Sequence, residues 1–274
     1  MYRECVKLRW INGACYELVL SDGTVIVLDP YVTPAGLEGF SAEDFTGADY
    51  IICSHTHYDH TSDIGYLAEK YNSRLIAGQM SIMALARFFD LNYNHCYPIS
   101  PGESYQMPEF TVQAFRSKHI GFYDKLHGTP ASTLESAKRK GIEAHGEADQ
   151  FGWVELYDFA ITLPGNFRIL IVAGIDAYDN IYETAKQFKP NLVIRQTVGT
   201  KEEYARLLDR FQVPIALPNH HEDPMKRFGM PMEDYVREVN EELGRLKSPV
   251  TLVNPVQYQW FSFGYECVQI EGGN

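Results

Sequence analysis

Short apolar runs alternate with tight polar breaks through the first third of the chain, a pattern that predicts strands. Val6–Ile11, Cys15–Leu20 and Thr24–Leu28 read as three strands, with Ser21-Asp22-Gly23 as a hairpin turn and Asp29-Pro30 ending the third. Asp49–Cys53 reads as a fourth, buried strand. Ser62 or Asp63 is placed to cap a helix running to about Tyr71, Arg74–Ala77 is a short strand, and Ser81–Phe89 carries a helical pattern. Phe110–Arg116 alternates as a strand and ends at Ser117-Lys118-His119.

Regularity is lost from Ile120 to about Gln150, which predicts an inserted loop with a short helix near Ser132–Arg139. It resumes with a strand pair, Trp153–Leu163 and Phe167–Val172, turning at Pro164-Gly165-Asn166. Helices at Asp179–Phe188 and Glu202–Phe211 then alternate with strands at Leu192–Ile194 and Pro214–Leu217. Glu233–Leu246 is the clearest amphipathic helix, with Tyr235, Val239, Leu243 and Leu246 on one stripe. Val250–Val253 and Phe261–Ile270 finish as strands. Strands first and mixed α/β order afterwards suggest two packed sheets with helices outside, an α/β class, in one domain over residues 1–274.

Composition narrows the function classes. Hydrophobic residues make up 45% of the 274, enough for a sizeable core. The opening MYRECVKLRW has no apolar signal region, and no apolar run approaches 18 residues, so neither secretion nor a membrane span is expected. Five scattered cysteines, with no C-x-x-C pair, fit a reducing cytoplasm. A net charge of −12 disfavours a nucleic-acid partner, whose phosphates need a basic footprint.

Candidate chemistry concentrates at residues 54–60, SHTHYDH, just after the apolar run ADYIIC. His55 and His57 project to the same side of a strand end and can grip one metal. Asp59 and His60 fall where the chain turns toward the helix and can serve a second. A lone histidine would read as an ordinary hydrogen-bonded residue; three with an aspartate, in H-x-H-x-D-H order, point to metal. One loop cannot complete two sites. Three further candidates sit just past apolar strands: His119 after FTVQAFRSK, Asp176 after RILIVAGI and His220 after PIALPN. All lie at strand carboxyl ends, where α/β sheets gather ligands.

This pattern resembles the metallo-β-lactamase superfamily, marked by H-x-H-x-D-H followed by a distant His, Asp and His. The likeness runs from the hairpin ending in Val27-Leu28-Asp29-Pro30-Tyr31 to Leu217-Pro218-Asn219-His220. That hairpin and the Pro-x-His ending look most like the branch containing the ascorbate-phosphate lactonase and related metal-dependent hydrolases. The resemblance implies an αββα sandwich of two mixed sheets flanked by helices, with a dinuclear site at their shared edge. By position, His55, His57 and His119 would bind one metal, Asp59, His60 and His220 the other, and Asp176 would bridge them. The family usually has Gly directly before the bridging Asp; Ile175 intervenes here, so Asp179 stays as the alternative bridge. His221 stays as the alternative to His220, or else lines the pocket with Glu222 and Asp223. Asp29 is expected to accept a histidine N–H or to be a plain strand-ending turn. Cys53 is expected to be a buried, inert thiol. Tyr123, Lys125 and His127 are candidate substrate contacts, and Lys138–Lys140 could draw an anionic group. His95 and His145 read as structural or surface residues.

The function implied is a hydrolase using two divalent cations, zinc first, with manganese or iron also compatible with the donors. A metal-bridging hydroxide would attack an ester, lactone or related bond of a small-molecule substrate, with Asp59 and His220 as the catalytic residues and Asp59 orienting the hydroxide. Metal binding brings water from a pKa of about 15.7 to about 7, which outweighs the roughly 10²–10⁴-fold gain typical of a side-chain base. A metal-dependent phosphodiesterase or nuclease is the alternative, disfavoured by acidic charge. A redox di-iron protein is a further one, against which His57 stands where flavodiiron relatives carry Glu. A non-catalytic binding protein on the same fold is the last, and the full ligand set argues against it. Substrate, metal identity and oligomeric state, including a homo-oligomer, stay open at this point.

Overall fold

The computed structural model describes residues 2–119, 151–152, 155–174 and 180–266. The first sheet grows from an N-terminal hairpin. β1 (Tyr2–Asn12) and β2 (Cys15–Leu20) turn through Gly13, whose φ of 54° suits a residue without Cβ. β3 (Val25–Leu28) pairs antiparallel with β2. β4 (Tyr50–Ile52), β5 (Arg74–Gly78) and β6 (Cys96–Ile99) then add in parallel.

The second sheet begins as an antiparallel meander of β7 (Ser104–Gln106), β8 (Thr111–Arg116), β9 (Tyr157–Leu163) and β10 (Phe167–Val172). It continues in parallel through β11 (Leu192–Gln196), β12 (Ile215–Asn219) and β13 (Thr251–Leu252). β14 (Phe261–Glu266) crosses back to pair with β1, giving the first sheet the order β14-β1-β2-β3-β4-β5-β6 and the second β13-β12-β11-β10-β9-β8-β7.

Strand patterning explains the layers. In β3 and β4, Ile26, Leu28, Tyr50 and Ile52 point into the space between the sheets, where they meet Phe159, Ile169, Ile194 and Leu217. The alternate residues Val25, Val27 and Ile51 point outward and are buried under α2 (Ile64–Tyr71) and α3 (Ile82–Phe88), through Ile64, Leu67, Ile82 and Leu85. Burial on both faces is why these strands read as continuous apolar runs. The outer face of the second sheet is covered by α4 (Asn180–Phe188), α5 (Lys201–Asp209) and α7 (Met232–Arg245). Two short helices, α1 (Tyr58–Thr61) and α6 (Pro224–Phe228), sit in loops at the strand ends. The result is the αββα sandwich expected from the sequence. No helix among the described residues is long and apolar enough to cross a membrane.

Several readings change in detail. Asp63 stands just before α2, but its side chain does not cap that helix. Its carboxylate instead accepts the amides of Val32 (2.6 Å) and Thr33 (3.1 Å) and the Thr33 hydroxyl, pinning the chain after β3. β6, β7 and α6 were not read from the sequence. The edge strand β6 contains Pro98 and keeps only Ile99 fully buried, so it carries little periodic signal. The expected helix at Ser132–Arg139 and the residues Tyr123, Lys125, His127, Lys138–Lys140, His145, Asp176 and Asp179 lie outside the described residues.

Candidate metal centre

β4 ends at Ile52, and the chain leaves it through Cys53 and Ser54 directly into the histidine cluster. His57 is still extended (φ −71°, ψ 153°), and the single turn of α1 after it returns Asp59 and His60 to the same cleft. The His55 and His57 rings lie 4.7 Å apart, centroid to centroid, at 73°. From the opposite sheet, the end of β8 brings the ring of His119 to 5.0 Å from His55 and 4.5 Å from His57. One ligand atom from each of these three histidines lies within 4.8 Å of the others. Asp59, His60 and His220 form a second group that meets the same limit. The two groups adjoin: His60 packs 3.9 Å from His55 and 5.1 Å from His220, ring to ring.

His220 reaches the cleft through an unusual backbone. It follows the last residue of β12 with φ at +51°, a left-handed conformation uncommon outside glycine. Its amide donates to the Gly13 carbonyl at 2.9 Å, and its carbonyl accepts the Thr197 hydroxyl at 3.1 Å. The chain thereby turns His220 toward Asp59 and His60, while His221 faces away and stacks on Trp10 at 3.9 Å and 26°. Of the two histidines, His220 is the one grouped with Asp59 and His60. His221 lines a separate shallow pocket with Trp10, Glu222 and Pro255.

Asp29, the residue after β3, fixes two of the rings. Its carboxylate accepts the Ser54 amide and the Ser54 hydroxyl, both at 2.6 Å. Because that hydroxyl donates to Asp29, its lone pair is left to accept a proton from His55 Nδ1, 3.1 Å away. Asp29 Oδ2 also lies 3.0 Å from His60 Nδ1. In His55, Nδ1 is therefore the protonated nitrogen and Nε2 keeps its lone pair, the form a metal requires, while Asp29 holds His60 by an ion-pair contact.

Electrostatics follow from burial. Burial, and then the neighbouring imidazoles, hold His55 and His57 well below the usual histidine range, so both are neutral. Burial alone would lower His60 too, but Asp29 and Asp59 outweigh it and raise it. Burial works against the Asp59 carboxylate, yet His60 and His220 bring it below the usual range. Cys53 is buried, its thiol raised well above the ordinary value by burial, and its Sγ donates to the His55 carbonyl at 3.0 Å. His95 lies in a 3-10 turn before β6, apart from both groups.

Sequence reasoning overlooked Ser54 and read Asp63 only as a possible helix cap. A hydroxyl directly before the first candidate ligand was a readable signal for Ser54, since it can hydrogen-bond the adjacent ring. The link of Asp63 to Val32 and Thr33 carried none, because those partners lie 31 and 30 residues away.

Comparison with known proteins agrees with this architecture. Residues 24–136 match the model of the beta-lactamase superfamily domain. A UPF0173 metal-dependent hydrolase of Bacillus thuringiensis is 29% identical over 152 residues, which cover 53% of this chain and 65% of that protein. The chain thus spans just under two thirds of the length of this relative. A UPF0173 metal-dependent hydrolase of Cupriavidus taiwanensis is 25% identical over 246 residues, 83% of this chain and 78% of that one. Among solved structures, Igni18, a metallo hydrolase from Ignicoccus hospitalis, superposes with a TM-score of 0.67 at 14% identity, covering 95% of this chain and 99% of its own. The chain has the metallo-β-lactamase fold.

Proposed function

We propose that this metallo-β-lactamase-fold protein is a metal-dependent hydrolase with two divalent ions, one in each histidine-containing group, acting on an ester, lactone or related bond of a small molecule. The observation that carries the reading is the pairing of two adjoining three-ligand groups at one sheet edge. The donors suit such ions. Three imidazoles, two of them held neutral by burial, match a borderline cation such as zinc, and the second group adds a carboxylate. Asp176 is the proposed bridging ligand, with Asp179 as its alternative. Both rest on sequence position.

Bound ions would supply Lewis acidity and bring a water to a pKa of about 7. The chain's own residues do the positioning. Asp29 and Ser54 hold the His55 ring in one tautomer, and Asp29 steadies the His60 ring by its 3.0 Å contact with Nδ1. Asp59 keeps about a third of its side chain open to solvent (33%), whereas His60 beside it is buried, so Asp59 is the ligand best placed to orient an incoming water. Tyr123, Lys125 and His127 are proposed to meet the substrate, as the insertion follows His119 directly in the chain.

Metal content and activity test this together. Metal-free protein re-supplied with zinc, manganese or iron should retain about two ions per chain. His57→Ala and His220→Ala should each lose the ion of their own group. Lactones, carboxylic esters and bis-(p-nitrophenyl) phosphate should be assayed side by side. Turnover of the phosphodiester alone would move the reading to a phosphodiesterase, and no retained metal would end it.

A further inference from the structure

A buried carboxylate beside the first group takes no part in it. Glu155 is buried, and four donors surround its side chain. They are the Met80 amide (2.9 and 3.1 Å to the two oxygens), the Ser81 amide (2.9 Å), the Ser81 hydroxyl (2.6 Å) and the Tyr157 hydroxyl (2.9 Å). Gly78 lies so close that a Cβ there would stand 2.3 Å from Oε2. Three of these donors belong to the corner between β5 and α3 in the first sheet's layer, whereas Glu155 lies just ahead of β9 in the second sheet.

The neighbours of Glu155 extend the link to the ligands. The Leu156 carbonyl accepts the Ser117 amide at 2.9 Å, two residues before His119. The Tyr157 amide donates to the Ser54 carbonyl at 3.0 Å, one residue before His55. Phe151 is tied back to Glu155, whose amide donates to its carbonyl at 2.8 Å. Gly152 then lies flat against His57: a Cβ would meet the ring at 2.5 Å from Cδ2 and 2.9 Å from Nε2.

His55 and His57 come from the first sheet and His119 from the second, so their separation depends on how the sheets register at this edge. We propose that Gly152 and residues 155–157, anchored by Glu155, set that register, which makes Glu155 a positioning residue for the metal held by His55, His57 and His119. Among the described residues, no hydrogen bond or ion pair joins Glu155 to any of the three. A carboxylate suits this role because it offers two oxygens and about four acceptor sites. A glutamine would keep one oxygen and turn an NH₂ group toward the Met80 and Ser81 donors. The inference rests on the reading that this group binds metal.

Co²⁺ titration of metal-free protein, followed by d–d absorption and by competition with a chromophoric chelator, tests it. His57→Ala and His220→Ala identify which site each band reports. For Glu155→Gln, we expect the first site to weaken at least tenfold with altered d–d bands. The Asp59/His60/His220 site should stay within about twofold, and the far-UV circular dichroism should be unchanged. Two wild-type sites, or equal losses at both, would overturn the proposal, the second by making Glu155 merely structural. Should Glu155→Gln fail to fold, Ser81→Ala takes its place. It removes the 2.6 Å hydroxyl donor to Glu155 without altering any of the three histidines, and should give the same selective loss in smaller measure; a wild-type titration would overturn the proposal. If wild-type protein bound no ion at all, the metal reading itself would fall. Ions bound by the wild type and equally by the variants would sink only this inference.

Discussion

Asp29 serves two histidines with one carboxylate, His60 directly and His55 through the Ser54 hydroxyl. Its own φ is +42°, a conformation that asparagine tolerates as well as aspartate, so Asp29→Asn changes the chemistry without straining the backbone. Loss of such an orienting acceptor typically weakens a metal site about 10–100-fold. Asp29→Asn should therefore weaken both sites, with the His60 site hit harder, in chelator competition. The candidate ligands were legible in the sequence because H-x-H-x-D-H compresses four of them into six positions. The groups that hold them were less so. Asp29 could be read either as an acceptor for a histidine N–H or as a plain strand-ending residue, and Glu155 not at all, since its Met80 and Ser81 donors lie 75 and 74 residues away. Asp158 is another such residue. It is fully buried on β9 and accepts the Ala173 amide at 2.9 Å. Burial lifts its carboxyl from 3.8 to about 6, against the pull of Ser117, the Ala173 amide and Arg195. The folded state thus holds this proton more tightly than the unfolded one. Its favourable contribution is complete below about pH 4 and is lost as pH rises through about 6, a change on the order of 3 kcal/mol. Asp158→Asn has no such proton. Between pH 4 and 7 its stability should gain on the wild type by about that amount, read by urea unfolding of metal-free protein at both pH values. A parallel pair of pH profiles would contradict the assignment.

Among the elements, α5 shows how local signals fix a helix start. Thr200 and Glu203 form a reciprocal capping box: the Thr200 hydroxyl accepts the Glu203 amide at 3.2 Å, and the Thr200 amide donates to the Glu203 carboxylate at 2.8 Å. Sequence reading began this helix at Glu202; the box starts it at Lys201. Thr200→Ala should reduce stability by about 1 kcal/mol, as lost caps do, with no change in metal stoichiometry. Denaturant midpoints and metal analysis of the same preparation check both halves. Long, two-sided or strongly amphipathic elements such as β2, β10 and α7 were legible to within a residue or two. β7 was not, because it has three half-exposed or exposed residues at a sheet edge. α6 did carry a signal in Asp223-Pro224, where the Asp223 side chain accepts the Lys226 amide at 3.1 Å and proline takes the first turn. Its five residues were too few to show a period.

At the scale of the molecule, each candidate metal group draws on both sheets: His55 and His57 with His119, and Asp59 and His60 with His220. An ion that binds only the folded state stabilises it by about 2.7 kcal/mol when its concentration is 100 times its dissociation constant. Two such sites would give about 5 kcal/mol, or on the order of 10 °C in melting temperature for a chain of this size. Chelation should remove that gain, and His57→Ala should retain about half of it. Linkage alone would predict the same number wherever the ligands came from. The topology adds which motion the ions oppose. Parting of the sheets at this edge would break both groups together with the Tyr157–Ser54 hydrogen bond that joins them. It would leave β13 intact, where the Leu252 amide is held by Asn240 at 2.9 Å on the far side of the second sheet. Hydrogen exchange under native conditions separates the two effects. Metal should slow exchange at the Tyr157 amide at least tenfold more than at Leu252. Equal slowing at both would mean that the sheets part only when the whole chain unfolds, and that the ions act through global stability alone.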